Sequence, residues 1–407
     1  MRSIDFKNFV TLQRGFDLPS QKRIDGPYPV VAATSITGYH AEYKVEPAGV
    51  VTGRSGALGE VLFINQRFWP LNTTLWVKDF KGNIPKYVYY FLKTIDLKRF
   101  DAGTGVPTLN RNHLDYLRIS IHDSLEQRKI AAILSAYDNL IANNMRRIKI
   151  LEEIAQLIYR EWFVNFRFPD HEKVRMVDSE LGKIPEGWGI KSMGAILESY
   201  SGGDWGSEEL TDKEDSPVVV IRGADLPDLW YGLQSKAPLR YIKRKSLERR
   251  VLRAGDVIVE NSVNASSRSV GTSLLVTEGL LRRFRNPVIA ASFCKFLRPI
   301  YPELGAFIHL HLQYLREEHQ IESYQHVATN GIANFQAERF VKTNLLVLPK
   351  ERNNLLRMLQ VLNDMTNSVL ADESYLLRRT RDFLLPKLIS GELNVSELDI
   401  KTGEEAG

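Results

Sequence analysis

The chain holds the residue types that catalysis uses, but not at the spacings that catalysis needs. Its eight histidines, His40, His113, His122, His171, His309, His311, His319 and His326, include no His-Glu-x-x-His pair. His309 and His311 sit two apart, which on a helix places them on different faces and argues against a metal pair. Cys294 is the single cysteine, so no internal disulfide and no Cys-x-x-Cys zinc spacing exists, and it reads as a small buried apolar residue. Asp25 followed by Glu42-Tyr43-Lys44 loosely fits the acidic-plus-lysine template of a nuclease. Asp79-Phe80-Lys81 and Asp96-Leu97-Lys98 show how often such triplets arise by chance, and salt bridges or surface positions account for them. An adenine methyltransferase needs Asn/Asp-Pro-Pro-Tyr/Phe, and Asn286-Pro287-Val288 lacks the second proline. The glycine-rich run Gly53-Arg54-Ser55-Gly56-Ala57-Leu58-Gly59 lies between two strand-like runs. A hairpin turn therefore explains its glycines better than a phosphate cradle at a helix start.

What remains is the chemistry of binding a polyanion. The net charge of +5 is modest, but its distribution is uneven. Between Lys236 and Arg298 lie Arg240, Lys243, Arg244, Lys245, Arg249, Arg250, Arg253, Arg268, Arg282, Arg283, Arg285 and Lys295, against only Glu248, Asp256, Glu260 and Glu278. An acidic stretch, 204–228, precedes them. Lys243, Arg244, Lys245, Arg249 and Arg250 read as phosphate binders, although a solvated charged face is the commoner use of such a run. Asn261, Asn264 and Arg268 form a polar, serine-rich loop suited to base edges. Arg54 stands among glycines that permit close approach, and arginine pairs well with guanine. A bond from Arg54 to a nearby carbonyl is the open alternative.

These side chains need elements to position them. At 407 residues the chain suggests two or three folding units. No run of 18 apolar residues marks a membrane span, and the first residues lack the apolar core of a signal peptide, so a cytoplasmic location is expected. The sequence also repeats itself once. Gly105-Val-Pro-Thr-Leu109, running into Leu114, Ile119 and Ile121, recurs 226 residues later as Gly331-Ile-Ala-Asn-Phe335, running into Phe340, Leu345 and Val347. Each copy reads as a turn, a short helix and an alternating strand.

A long helical pattern follows each copy. In the first, Ile130, Tyr137, Asn144, Leu151 and Ile158 recur every seven residues beside Leu134, Ile141, Ile148, Ala155 and Trp162. In the second, Leu356, Asn363, Leu370, Leu377 and Leu384 recur beside Leu355, Leu362, Val369, Leu376 and Phe383. Heptads sustained this long indicate helices that wrap around a partner, and the two predict a coiled-coil pair in either orientation. The asparagines Asn144 and Asn363 either fix register or are solvated. Between the helices, short strand-like runs at 30–31, 49–51, 61–64, 74–77, 218–221, 255–259, 272–276 and 294–297, with helices at 85–94 and 304–320, predict two strand-rich mixed α/β domains in an α+β chain. Pro169, Gly182, Pro185 and Gly187 predict a surface linker.

Three strings resemble the specificity (S) subunits of type I restriction-modification systems: Glu153-Ile-Ala-Gln-Leu-Ile-Tyr-Arg-Glu-Trp-Phe163, Leu181-Gly-Lys-Ile-Pro-Glu-Gly-Trp188 and Leu385-Pro-Lys-Leu-Ile-Ser-Gly-Glu-Leu393. The first domain has no copy of the second string. The resemblance implies two target-recognition domains, 1–124 and 189–349, with a pseudo-twofold internal repeat. It further implies a central conserved helix 125–168, a linker 169–188, a distal conserved helix 350–395 and a tail 396–407. It implies a non-catalytic chain that binds double-stranded DNA and two modification (methyltransferase) subunits, and through them restriction (motor nuclease) subunits, with no membrane partner. S-adenosylmethionine, ATP and Mg are then expected in the partners, with no cofactor or metal in this chain. Ile130, Tyr137, Leu151, Ile158, Trp162, Leu356, Leu370, Leu377 and Leu384 would pack the helices and subunits. A helix of about 33 residues is about 50 Å long, against about 34 Å for one DNA turn, so the helices are expected to space two unlike half-sites. A helical scaffold, or a recognition subunit of a related defence complex outside type I, is the alternative.

Overall fold

The periodic segment beginning at Ser124 contains no glycine or proline and forms one uninterrupted α-helix, Ser124–Tyr159, closed by a π-helical turn, Arg160–Val164. The computed structural model describes residues 1–103, 105–264, 269–350 and 354–401. Of the two stripes on this helix, Leu134, Ile141, Ile148 and Ala155 are buried, and Trp162 in the π-helical turn is half-buried. The other stripe is buried at Ile130 and Asn144 and half-buried at Tyr137, Leu151 and Ile158.

The distal helix departs from the single regular helix expected. It runs as Asn354–Asp364, a π-helical stretch Met365–Leu370, and Ala371–Ser390. Side chains that compete for backbone carbonyls explain the break. Asn363 Nδ2 donates to the carbonyl of Leu359 at 3.0 Å, and Thr366 Oγ1 donates to those of Leu362 and Asn363 at 3.2 and 2.8 Å. Asn144 and Asn363 are 3% and 2% exposed, so neither is a solvated position. Leu356 and Leu370 are buried and Leu377 and Leu384 half-buried, while Val369, Leu376 and Phe383 of the neighbouring stripe face solvent.

The chain divides into two compact units, Met1–Leu140 with Arg378–Gly407, and Ile141–Leu377. The division cuts both long helices, where the sequence suggested separate helical and globular segments. The reason is that each half-helix packs into its own unit. In the first unit Ile130, Ala131 and Leu134 share one apolar cluster with Leu385, Leu388 and Ile389, and Asp138 pairs with Arg381 at 2.6 Å. Lys129 Nζ donates to the carbonyls of Val395 and Ser396, and His122 Nε2 to that of Leu388. In the second unit Ile148 clusters with Leu370 and Ala371, while Ala155 and Tyr159 cluster with Leu356, Leu359 and Leu362. Within each unit, rising numbers on one helix meet falling numbers on the other, so the pairing is antiparallel.

Each unit is mixed α/β. The first has an antiparallel sheet in the order Thr11–Arg14, Thr74–Asp79, Gly49–Gly53, Val61–Ile64. In its second sheet Tyr28–Val31 pairs antiparallel with Ile36–His40 and parallel with Trp69–Pro70. The second unit has an antiparallel sheet in the order Leu197–Gly202, Cys294–Pro299, Val257–Glu260, Ser273–Leu275. There Ser216–Ile221 pairs antiparallel with Leu239–Ile242 and parallel with Val288–Ala290. Arg2–Asp5 pairs with Arg118–Ile121 as Trp188–Ser192 pairs with Leu345–Pro349. The first unit therefore has an opening strand although it lacks the glycine-proline-tryptophan string.

The expected surface linker is folded. Met176–Ser179 and Gly182–Pro185 form a β-hairpin, and Trp188 stacks on Phe168 with ring centroids 5.1 Å apart. Aromatic burial at both ends anchors a segment whose glycines and prolines suggested only a loop.

Helix packing makes two expectations testable. Ile148→Ala should cost about 2–5 kcal/mol in urea unfolding, whereas Leu157→Ala, at a position 61% exposed, should cost less than about 0.5 kcal/mol. Burial pushes the Glu152 carboxyl from 4.5 up to about 7, against a Tyr231 hydroxyl that donates to it at 3.4 Å. A raised acid holds its proton more tightly when folded, so stability is greatest below the ordinary pKa and falls as pH rises through the raised one. Glu152→Gln should flatten that fall in melting temperature and leave the protein more stable than the wild type above pH of about 7.

Candidate nucleic-acid interface

The glycine-rich loop joins strand to strand, as its glycines suggested, between antiparallel Gly49–Gly53 and Val61–Ile64. The N–H groups of Arg54 and Ser55 both donate to the carbonyl of Thr73, at 2.8 and 3.1 Å, which fixes the base of the loop. Arg54 is half-buried, and its Nε donates to the carbonyl of Asn72 at 2.9 Å. Its terminal guanidinium nitrogens have no partner among the described residues. The chain returns to this loop further on. Leu109 N donates to the Arg54 carbonyl at 2.8 Å, and Ser55 bridges Thr108. Asp101 Oδ1 accepts from the N–H groups of Gly103 and Thr108 at 2.9 and 2.8 Å, and these bonds hold its carboxyl below the usual carboxylate range.

In the second unit Ser262–Asn264 pairs with Ile332–Phe335, which pairs in turn with Gln325–Val327, all antiparallel. Asn261 is half-buried and Asn264 exposed. Asn261 Nδ2 donates to Ser262 Oγ at 3.1 Å, and Ser262 Oγ donates to Asn334 Oδ1 at 2.7 Å. Arg268 lies outside the described residues. Sequence reasoning singled out the asparagines but missed Ser262 and Asn334. Their meeting is set by cross-strand register between segments about seventy residues apart in sequence, which no local pattern encodes.

The basic stretch splits by role. A short helix, Arg244–Arg250, begins after Lys243, and Lys243, Arg244, Lys245 and Arg249 are exposed. Arg244 has only a 3.8 Å pair with Glu248 on the same helix. Arg250 is turned inward, with Nε donating to the Gly202 carbonyl at 3.1 Å and Nη1 to Ser246 Oγ at 2.7 Å. Arg240 pairs with Glu208 at 2.7 Å and lies over the Trp205 ring. Arg283 binds Asp372 at 2.7 Å and the Leu229 carbonyl at 2.8 Å, which ties the distal helix to its unit. Arg298 and Asp256 form a buried pair at 2.7 Å, and that hydrogen bond raises the guanidinium above its ordinary value.

Three of the residues with catalytic potential, His309, His311 and Cys294, are built into the core. His309, on the helix Glu303–Glu317, hydrogen-bonds Ser273 Oγ at 2.9 Å, and burial pushes it down to about 3. His311 accepts from the Tyr159 hydroxyl at 2.6 Å and donates to Asn344 Oδ1 at 2.8 Å, and burial pushes it down to about 4. Cys294 is fully buried, which pushes its thiol up to about 12.

Residues 6–153 match the family described as the type I restriction modification DNA specificity domain. The chain is 25% identical over 342 residues to the type I restriction enzyme MjaIX specificity subunit of Methanocaldococcus jannaschii, covering 81% of this chain and 74% of that one. It is 26% identical over 225 residues to the MjaVIII specificity subunit of the same organism, covering 54% of this chain and 48% of that one. Among solved structures, the S subunit of a type I restriction-modification system from M. genitalium superposes with a TM-score of 0.57 at 16% identity, over 95% of this chain and 96% of that one, a likeness of fold.

The split of the basic stretch is directly testable. Replacing Lys243, Arg244, Lys245 or Arg249 with alanine should weaken binding to any DNA duplex and reduce the salt slope by about 0.9 for each phosphate that is no longer neutralised. Arg250→Ala should lower the melting temperature and leave the slope unaltered, as read by titrations at several salt concentrations.

Proposed function

We propose that this chain, which belongs to the family of specificity subunits of type I restriction-modification systems, reads double-stranded DNA as two unlike half-sites, one with each unit. The observation that carries this reading is the match between the units. Three sheets occur in both with the same strand order and senses, while the loops they carry hold different side chains, Arg54 in one and Asn261 and Asn264 in the other. That match supports a pseudo-twofold internal repeat with recognition divided between its halves. Lys243, Arg244, Lys245 and Arg249 would hold phosphates and so fix position on the duplex, leaving sequence to be read by the loop side chains.

The helices have two tasks in this reading. Their buried faces pair with each other, and their exposed apolar residues are available to a partner. Met358, Val361, Met365 and Val369 recur at helical spacing on the distal helix and face solvent, as do Ile150, Ile154 and Leu157 on the central one. We assign these stripes to docking of methyltransferase subunits, which would recruit the restriction subunits. Catalysis, with S-adenosylmethionine, ATP and Mg, then resides in those partners, and the methyltransferase flips the target adenine from the duplex.

The test is to co-purify the chain with a methyltransferase subunit and map methylated adenines on genomic DNA. An asymmetric two-part motif that vanishes when this chain is deleted is the expected result. Stable association without sequence-dependent methylation would favour a scaffold instead. Inserting seven residues into each helix should widen the unread gap by about three base pairs, since about 10 Å of added helix matches three steps of about 3.4 Å. An unchanged gap would remove the helices from the role of spacer.

A further inference from the structure

Resting on the reading of two DNA half-sites, we propose that Asn334, flanked by Ser262 and His326, is a specificity-determining residue of the second unit, and that Thr108 holds the same position in the first. The two units build this position from one backbone frame. Leu109 N donates to the Arg54 carbonyl at 2.8 Å, and Phe335 N donates to the Asn261 carbonyl at 2.7 Å. The residue after each acceptor is a serine, Ser55 or Ser262, and it pairs across with Thr108 or Asn334. Leu109 and Phe335 are buried, whereas Thr108 and Asn334 are half-exposed. The frame thus sets the direction of one polar side chain in each unit, and the functional group differs, a hydroxyl in one and a carboxamide in the other. A position whose geometry is kept while its hydrogen-bonding group changes is where unlike half-sites can be told apart.

The surroundings of Asn334 fit a base edge. Ser262, Asn334 and His326 are direct cross-strand neighbours. Strand alternation puts them on one face, opposite the buried Val263 and Ala333. Three strands about 4.8 Å apart make a row about 10 Å across, which a major groove about 12 Å wide admits. Ser262 Oγ donates to Asn334 Oδ1 at 2.7 Å, which leaves Nδ2 as the open end of the carboxamide, with no partner among the described residues. The row presents the Asn334 amide and the exposed His326 ring, and donors so placed suit the acceptor pair N7 and O6 of guanine.

The experiment is selection from randomised DNA duplexes by the full chain in complex with the methyltransferase subunit. It compares the wild type with Asn334→Ala, Asn334→Asp, His326→Ala and Thr108→Ala. Asn334→Ala should relax one position in one half-motif by about tenfold. Asn334→Asp, an acceptor-only side chain, should shift that position toward cytosine, whose N4 amino group donates. His326→Ala, at an exposed site with little bearing on folding, should weaken the same or the adjacent position, and Thr108→Ala should relax the other half-motif. The half-motif untouched by each variant shows that the chain is folded. Variants that select the wild-type motif unchanged overturn the assignment and leave the half-site reading standing. A uniform loss of affinity for every sequence marks Asn334 as structural and also overturns it. A wild-type chain that selects no motif overturns the half-site reading, and this inference with it.

Discussion

A 36-residue helix carrying an apolar residue at every third or fourth position cannot leave that stripe in water. Burying each large aliphatic side chain contributes about 1.5–3 kcal/mol, and most helical stability in proteins comes from such packing rather than from propensity. Much of the chain's organisation depends on meeting this demand. The distal helix covers the central one within each unit, Leu385, Leu388 and Ile389 sharing a cluster with Ile130 and Leu134 in the first, and Leu370 and Ala371 sharing one with Ile148 in the second. Each half of the helix pair is thereby part of a globular core. That is why compactness divides the chain through the helices.

The same constraint sorts the polar groups. Charges that hold the helices and sheets together are turned inward and paired, as with Asp138 and Arg381, Arg283 and Asp372, and Asp256 and Arg298. Breaking one partner from such a pair leaves a buried charge uncompensated, so these residues are tied to stability. The exposed cations of the short helix, Arg244, Lys245 and Arg249, have no ion pair among the described residues beyond the loose pairing of Arg244 with Glu248. Charges so disposed add little to folding and remain available to a polyanion. A basic stretch that looks uniform in sequence is therefore two populations with different work.

The loops proposed to meet DNA follow a related economy. Their backbones are pinned, by the Thr73 carbonyl in the first unit and by the pairing of Ser262–Asn264 with Ile332–Phe335 in the second. Holding the frame rigid limits how far the side chains can move relative to one another. Leaving the side chains free to differ lets one architecture serve two unlike surfaces, a separation of scaffold from site common to folds whose function lies in loops.

The sequence by itself determined the elements whose signal is local and periodic. The long helices, the helix Pro85–Thr94, the hairpin use of the glycine-rich loop and the helix-strand units after Leu109 and Phe335 all announce themselves through spacing, because a helix or strand repeats its environment every few residues, whereas Ile332–Phe335, read as a turn, is a strand. The family resemblance likewise rested on contiguous strings. The tertiary structure alone decided what depends on distant partners. It made the helices antiparallel, put a π-helical stretch where Asn363 and Thr366 claim backbone carbonyls, and folded the supposed linker around Trp188. It also engaged Arg250, Arg283 and Arg298 with partners inside the unit while leaving Arg249 outside, and it brought Ser262 to Asn334. Apart from the π-helical stretch, whose side-chain bonds reach only one turn back, these outcomes are fixed by which side chain meets which across a long stretch of chain, and burial, charge pairing and strand register settle that only once the whole chain has folded.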